Sequence, residues 1–177
     1  PIRNKVFIMA TNLQFIKEAS GSGVTTLAVT DCFSAAYDVY FLTVATADFA
    51  SNAYVWTRFI DSSGSLINQT EYDYAALDMY ANASFTELNG TGQSSIPNLA
   101  LSQSGTADFG GITMYIYNPY DSSSYTFVTA QSSTFSSYGR GSKLIGVHKS
   151  AEQLSGIELN RSAGDAFDME IKVYGVK

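Results

Sequence analysis

Residues 112–117 read Ile-Thr-Met-Tyr-Ile-Tyr, and an Asn-Pro-Tyr-Asp-Ser-Ser-Ser segment follows them at 118–124. The first, third and fifth residues of the run are apolar, which is the period of a strand that buries one face. Pro119 has no N–H to donate to a sheet ladder, so the chain must leave the sheet there. A second run rich in aromatic and β-branched residues, 125–131, begins directly afterwards. This stretch therefore predicts two strands and the loop that joins them.

Similar runs, separated by Gly, Asn and Ser clusters, recur along the whole chain. They predict an all-β fold, an antiparallel β-sandwich or jelly-roll-like domain with little helix. The 177 residues suit one such domain, over 11–177, with residues 1–10 as an N-terminal arm or a first edge strand. The predicted strands are Leu13–Glu18, Val24–Thr30, Tyr37–Thr46, Tyr54–Asp61, Glu71–Asn82, Ile96–Ser102, Gly111–Tyr117, Tyr125–Gln131, Lys143–Lys149, Ser155–Asn160 and Asp168–Tyr174.

Several segments fit this pattern less well. The segment 74–80 has apolar residues at both helical and strand spacing, and its tyrosines favour a strand. The run 143–147 is irregular, as in a strand buried on both faces. The polar stretch 131–142 is expected to be a loop or a contact arm, and 150–153 resembles a capping box that opens one helical turn. Asp61–Ser65 and Asn89-Gly90 are expected to be hairpin turns.

The composition excludes several classes of function. The net charge is −6 without any cluster of Lys and Arg, which argues against nucleic acid and against an anionic membrane surface. Only 15% of the residues are charged, while 14% are aromatic, and such a surface is easier to desolvate in an assembly. The single cysteine, Cys32, is expected to be a small buried apolar residue. The apolar run 6–10 is shorter than a signal-peptide core, so we expect the chain to be made and kept in a cytoplasm until it is packaged or released.

The motifs do not indicate an active site. The one histidine, His148, is expected to be an ordinary, partly exposed strand residue. Glu71 and Asp73 are expected on one solvated strand face. Asp165 and Asp168 could form a ligand pair in a loop, but aspartates in turns usually cap their own backbone, and the chain has no EF-hand spacing. Residues 139–143, Gly-Arg-Gly-Ser-Lys, lack the residue order of a phosphate loop and are expected to form a flexible turn. We therefore predict no enzyme activity, no cofactor, no metal ion and no catalytic residue.

Five segments of the sequence are similar to those of small β-sandwich virion proteins of tailed bacteriophages, especially phages of marine bacteria. They span most of the chain, and they are structural rather than catalytic. One departure is the segment 165–169, where the family would have a Gly between the Phe and the last strand. The five segments are residues 11–18 leading into 24–33, Tyr-Asp-Val-Tyr at 37–40, residues 118–127, Leu-Ser-Gly-Ile at 154–157, and Ile-Lys-Val-Tyr-Gly-Val at 171–176.

The resemblance implies a capsid decoration or cement protein, or a part of a tail appendage. Its partners would be other virion proteins, above all the major capsid protein, and further copies of itself in a homo-oligomer such as a trimer. The assembly contacts expected at the N-terminus are Val6, Phe7, Ile8 and Met9, because they would otherwise form an exposed apolar terminus.

Two alternatives remain open. The first is a tail-fibre or adhesin domain that binds host glycans through Tyr120, Tyr125 and Tyr138, all near predicted loops. The second is a carbohydrate-active enzyme on a jelly-roll frame, for which Glu71 and Asp73 would be the candidate carboxylates.

Overall fold

The computed structural model describes residues 12–49, 53–82, 84–102, 109–135, 137–162 and 164–177. The assembly contacts expected at Val6, Phe7, Ile8 and Met9 lie outside these residues. The described residues contain no helix, and hence none long and apolar enough to cross a membrane. They form β1 Leu13–Val24, β2 Thr26–Val29, β3 Val39–Phe49, β4 Ala53–Asp61, β5 Tyr72–Tyr80, β6 Ser84–Gln93, β7 Ile96–Ser102, β8 Phe109–Tyr117, β9 Thr126–Phe135, β10 Gly139–His148, β11 Leu154–Arg161 and β12 Phe167–Val176.

The strands form two antiparallel sheets, which confirms the predicted β-sandwich. The larger sheet has eight strands in the order β1-β12-β3-β8-β9-β10-β5-β6, and the smaller has four in the order β2-β11-β4-β7. The chain passes repeatedly from one sheet to the other, as it does in double-sheet sandwiches and jelly rolls.

Alternating side chains from both sheets form the core. Ile112, Met114 and Ile116 of β8 are buried as the opening stretch predicts, and Ile171 and Val173 of β12 lie in the same cluster. Apolar burial of this kind contributes roughly 25 cal/mol per Å² to stability. The two sheets are therefore held together mainly by these inner faces.

One buried tyrosine also links the sheets by hydrogen bonds. The Tyr72 hydroxyl accepts a hydrogen bond from Phe59 N at 3.1 Å and donates one to Ile67 O at 3.2 Å. Burial raises the pKa of Tyr72, so the side chain remains a neutral phenol that can both donate and accept. β4 and β5 are thereby joined at a point where an unpaired hydroxyl would be costly.

The predicted turn at Asp61–Ser65 is confirmed. Oδ1 of Asp61 accepts hydrogen bonds from Ser63 N at 2.8 Å and from Ser65 N at 2.9 Å. Gly64 supplies a positive φ of 85° in the same turn. These hydrogen bonds lower the pKa of the Asp61 carboxyl, the Ser63 side chain having the largest effect.

Five local predictions were wrong. Asn89-Gly90 is not a turn but part of β6, which the sequence did not predict because it is a polar edge strand without apolar alternation. Residues 131–142 are not a loop, since β9 extends to Phe135 and β10 begins at Gly139, so residues 139–143 are strand and not a flexible turn. The run 143–147 buries only one face, and Ile145 is 59% exposed. Residues 150–153 form no helical turn. The strand assignment of 74–80 is confirmed, and Cys32 is buried as predicted.

Glycines in the strands mark close approaches between neighbouring chain segments. A Cβ on Gly156 of β11 would lie 2.5 Å from Val29 O and 3.0 Å from the Thr30 Cα. Both atoms belong to the backbone, so they cannot rotate away. A Cβ on Gly139, at the start of β10, would have its nearest neighbour, the Ala81 Cβ, at 3.8 Å.

We therefore expect Gly156→Ala to lower the free energy of unfolding by about 1–3 kcal/mol, because the methyl group must displace the backbone next to β2. The measurement is urea unfolding at equilibrium. Gly139→Ala is the matched control and should leave the stability unchanged or raise it by less than about 1 kcal/mol, since Ala loses less backbone entropy than Gly. Equal stability of the Gly156→Ala variant and the wild type would contradict the packing described.

Candidate functional site

The outward face of the larger sheet carries a continuous apolar surface, which we call the outer band. It consists of two adjacent rows that cross the sheet, because residues paired in antiparallel strands point to the same side. The first row is Phe15, Tyr174, Phe41, Tyr115, Thr129, Ile145 and Ala75. The second row is Leu13, Val176, Val39, Tyr117, Phe127 and Val147.

The aromatic rings of the outer band contact one another from strand to strand. The ring centroids of Phe15 and Tyr174 are 5.8 Å apart, and those of Tyr174 and Phe41 are 6.3 Å apart. Phe41 and Tyr115 are closer, at 4.8 Å, and Tyr115 stacks on Tyr117 at 6.4 Å. These distances are typical of favourable aromatic pairs. The rings therefore hold one another in place while their outer surfaces remain accessible.

Beyond the aromatic rings, the outer band ends in a shallow hollow. Phe127 is 47% exposed and Ile145 is 59% exposed, and both line the hollow together with Val147. Segments of β5, β6, β9 and β10 enclose about 430 Å³ there. Contiguous exposed apolar surface often marks an interaction site.

The outward face of the smaller sheet is different. Its neighbouring strands β4 and β11 carry Arg58 and Glu158, whose Nη2 and Oε1 atoms lie 2.7 Å apart, and Asn160 follows on the same side. Both charged side chains are largely buried, at 22% and 13% exposure, and Trp56 pairs with Asn160 on this face. The smaller sheet thus carries an ion pair on its outer face, whereas the aromatic rows lie on the larger sheet.

The three tyrosines predicted to recognise glycans do not form one platform. Tyr120 is half-buried and packs against the core, whereas Tyr125, just before β9, is 47% exposed. Tyr138 lies beyond the other end of β9 and packs edge-on against Tyr80 at 6.3 Å. Since a ten-residue strand spans roughly 33 Å, Tyr125 and Tyr138 are too far apart to bind one sugar residue.

His148 lies on a strand as predicted, but the expectation that it is partly exposed was wrong. It is the last residue of β10 and pairs with Tyr72, and its side chain is fully buried. Its ring centroid lies 5.0 Å from that of Tyr72 and 6.1 Å from that of Phe59. The burial follows from the alternation of β10, in which Leu144, Gly146 and His148 all point inward.

Two carboxylates meet the Nε2 atom of this imidazole. Glu71 Oε2 lies 3.3 Å from it, and Glu152 Oε1 lies 3.6 Å from it. Residues 150–153 form no helical turn, and Glu152 contacts His148. Sequence reasoning missed this group, although the spacing of His148 and Glu152 was visible, because Glu71 is distant in sequence.

Glu71 and Asp73, the carboxylates of the enzyme alternative, have different partners. Asp73 Oδ1 lies 2.8 Å from Lys149 Nζ and accepts a hydrogen bond from Gly92 N at 2.8 Å. The Lys149 contact, followed by this backbone hydrogen bond, lowers the pKa of Asp73. Asp73 is thus held as a carboxylate, which disfavours a role as general acid.

Asp168, of the other carboxylate pair, caps a turn in β1. Its Oδ1 accepts hydrogen bonds from Gly23 N at 2.7 Å and from Ser22 Oγ at 2.9 Å.

Asp78 is the one buried carboxyl group in the described part of the chain, and it lies on the inward face of β5. Its Oδ2 accepts only a long hydrogen bond of 3.5 Å from the Tyr80 hydroxyl, and its Oδ1 has no partner. Burial raises its pKa, and the Ser142 side chain and the Arg140 charge oppose that shift only in part. A buried acid of this kind can mark a function, and its polar neighbours here are Tyr80, Arg140 and Ser142.

A comparison of the chain with protein-family models gives no match, and a comparison with curated proteins gives none either.

We expect Asp78→Asn to raise the free energy of unfolding at pH 7 by about 1 kcal/mol, since the amide cannot ionise in the buried position. The raised pKa means that the wild type is relatively more stable when Asp78 is protonated and loses this stability as the pH rises through the pKa of the folded state. The extra stability of the variant should therefore vanish below pH 3.8, which is the ordinary pKa of an Asp carboxyl group. Urea unfolding at several pH values measures this difference in the free energy of unfolding between the variant and the wild type.

Asp73→Asn is the control, because its effect on stability should depend on pH in the opposite direction. Its carboxyl has a lowered pKa, so its contribution to stability is present at neutral pH and is lost on acidification. A stability difference that is independent of pH for Asp78→Asn would disprove the burial effect.

Proposed function

We propose that the chain is a structural protein of a bacteriophage virion, a decoration or cement protein that binds the assembled head and stabilises it. The observation that carries the proposal is the outer band, a mostly apolar and aromatic surface that extends across the larger sheet from β1 to β10 in both rows and reaches β5 in one of them. The resemblance of the sequence to small virion proteins supports the lattice of major capsid protein as the partner.

Three properties of the outer band support this function. Asp73, the charged residue that pairs with Val147 where the second row ends, is already bound to Lys149, so binding would not require the desolvation of an unpaired charge. Tyr and Phe supply rigid contact area with few side-chain rotamers to immobilise. The band also lies on strands fixed by eight-strand pairing, so that binding needs little reorganisation.

A glycan-binding tail-appendage domain is the second candidate, and one observation favours it. The rings of Phe41, Tyr115 and Tyr117 form a row whose centroids are 4.8 and 6.4 Å apart. Two of these rings carry hydroxyl groups, so the row offers both apolar faces and hydrogen-bonding groups to a sugar.

Substitutions that place a charge on the outer band should abolish binding to capsids. Phe127→Asp and Ile145→Asp should each weaken binding to purified expanded heads at least about tenfold, because a carboxylate would be buried unpaired in the interface. The measurement is co-sedimentation with the heads. Both side chains are largely exposed in the free protein, so the urea unfolding midpoint should change little.

Tyr125→Asp is the matched control, because Tyr125 and Phe127 are both 47% exposed and only Phe127 belongs to the outer band. This variant should bind heads like the wild type. If instead Tyr125→Asp alone lost binding, the outer band would not be the contact surface. Wild-type protein that binds surface polysaccharide but no heads, or that is present in tens rather than hundreds of copies per particle, would favour the second candidate.

A further inference from the structure

Glu71, His148 and Glu152 come from three chain segments that the fold holds together. His148 ends β10, and Glu71 immediately precedes Tyr72, the residue of β5 that pairs with His148. Lys149 N donates a hydrogen bond of 2.8 Å to Glu71 O, which continues this pairing by one step. Glu152 lies in the short connection between β10 and β11. The backbone positions of all three residues are therefore set by strand pairing or by a tight connection.

The distances from His148 to the two carboxylates match those between ligands around a shared metal ion. The Nε2 atom of His148 lies 3.3 Å from Glu71 Oε2 and 3.6 Å from Glu152 Oε1, and all three ligand atoms lie within 4.8 Å of one another. Tetrahedral Zn²⁺ with bonds of roughly 2.0–2.2 Å places its ligand atoms roughly 3.3–3.6 Å apart. Charge-assisted N–H···O hydrogen bonds are shorter, roughly 2.7–2.9 Å. The contact with Glu71 is a long hydrogen bond, and both distances also equal the spacing of ligands that share one Zn²⁺ ion.

The charges in this cluster also point to a cation. Neither Glu71 nor Glu152 forms an ion pair with Lys or Arg within the described ranges, and the adjacent Lys149 pairs with Asp73 at 2.8 Å. Through Nε2 the imidazole can donate at most one hydrogen bond, so it cannot donate to both carboxylates at once. A divalent cation would neutralise both of them.

The burial of the histidine provides a separate observation. Its side chain is 0% exposed, its Nδ1 has no hydrogen-bond partner among the described atoms, and its Nε2 is aimed between the two carboxylates. The Tyr72 and Phe59 rings pack beside the imidazole and limit its movement. The carboxylates are 38% and 34% exposed, so the cluster opens to water on their side.

We propose that Glu71, His148 and Glu152 bind one Zn²⁺ ion, with water in the fourth position. An imidazole together with two carboxylates suits Zn²⁺, whereas Ca²⁺ and Mg²⁺ prefer all-oxygen sites. The ion links the start of β5, the end of β10 and the connection to β11, so its binding should stabilise that end of the sandwich.

The test uses full-length protein without a polyhistidine tag, because His148 is the only histidine of the chain. Its ring nitrogens then give a single, assignable pair of ¹⁵N signals. Titration with ZnCl₂ should shift the Nε2 signal with saturation at one ion per chain and should raise the Tm. Glu71→Gln and Glu152→Gln should each weaken Zn²⁺ binding by about tenfold or more, because each removes one ligand.

Glu87→Gln is the matched control, since Glu87 lies on the exposed edge strand β6 and this change removes the same charge. It should leave the Zn²⁺ affinity unchanged. Both ligand substitutions affect partly exposed groups, and their urea midpoints without metal verify that the fold is intact. The proposal is overturned by any of three results: no saturable shift of Nε2 below roughly 1 mM Zn²⁺, an equal loss of affinity in Glu87→Gln, or equally tight binding of Ca²⁺.

Discussion

The burial of one face of each strand between the two sheets is the constraint on which the rest of the structure depends. Successive strand residues point to opposite sides, so the choice of which residues face the core also decides which residues face outward. When Ile112, Met114 and Ile116 enter the core, Thr113, Tyr115 and Tyr117 must lie on the other side. The outer band is therefore created by the same registers that build the interior. A slip of one residue in any strand would exchange the two sets.

The same constraint explains His148 and the cluster around it. The alternation that buries Leu144 in β10 also turns His148 inward, although an imidazole is a poor core residue. At the end of the strand the ring can still reach the rim of the sandwich through Nε2, where Glu71 and Glu152 lie. The imidazole of this site is thus buried between the sheets, whereas its two carboxylates lie at the surface beside it.

Much of the fold could be predicted from the sequence where one face of a strand is apolar. The alternation in β8 and β12 indicated both strands and their inward residues, and the Asp61–Ser65 turn followed from its residue types. β6 and the ends of β9 and β10 could not be predicted, because their side chains are polar and their pairing depends on backbone hydrogen bonds with neighbours. The residues of a polar strand do not indicate which other strand it pairs with.

The functional surfaces were harder to predict from the sequence, because they also depend on which strands are neighbours. Phe15, Phe41 and Tyr115 are separated by tens of residues, and only the strand order β1-β12-β3-β8 makes them neighbours through Tyr174. The excess of aromatic residues indicated a contact surface but not its position. In the same way the tyrosines chosen for their proximity to loops, such as Tyr125 and Tyr138, proved to lie at different ends of one strand.

The polar edge strand β6 has a consequence for behaviour in a crowded layer. It ends the larger sheet with exposed, mostly polar residues, and near its end the pairing with β5 shifts, with Gly92 at a φ of 61°. An irregular edge of this kind is a poor template for another strand. Copies of the chain held side by side at high local concentration would therefore not readily extend their sheets through the β6 edge.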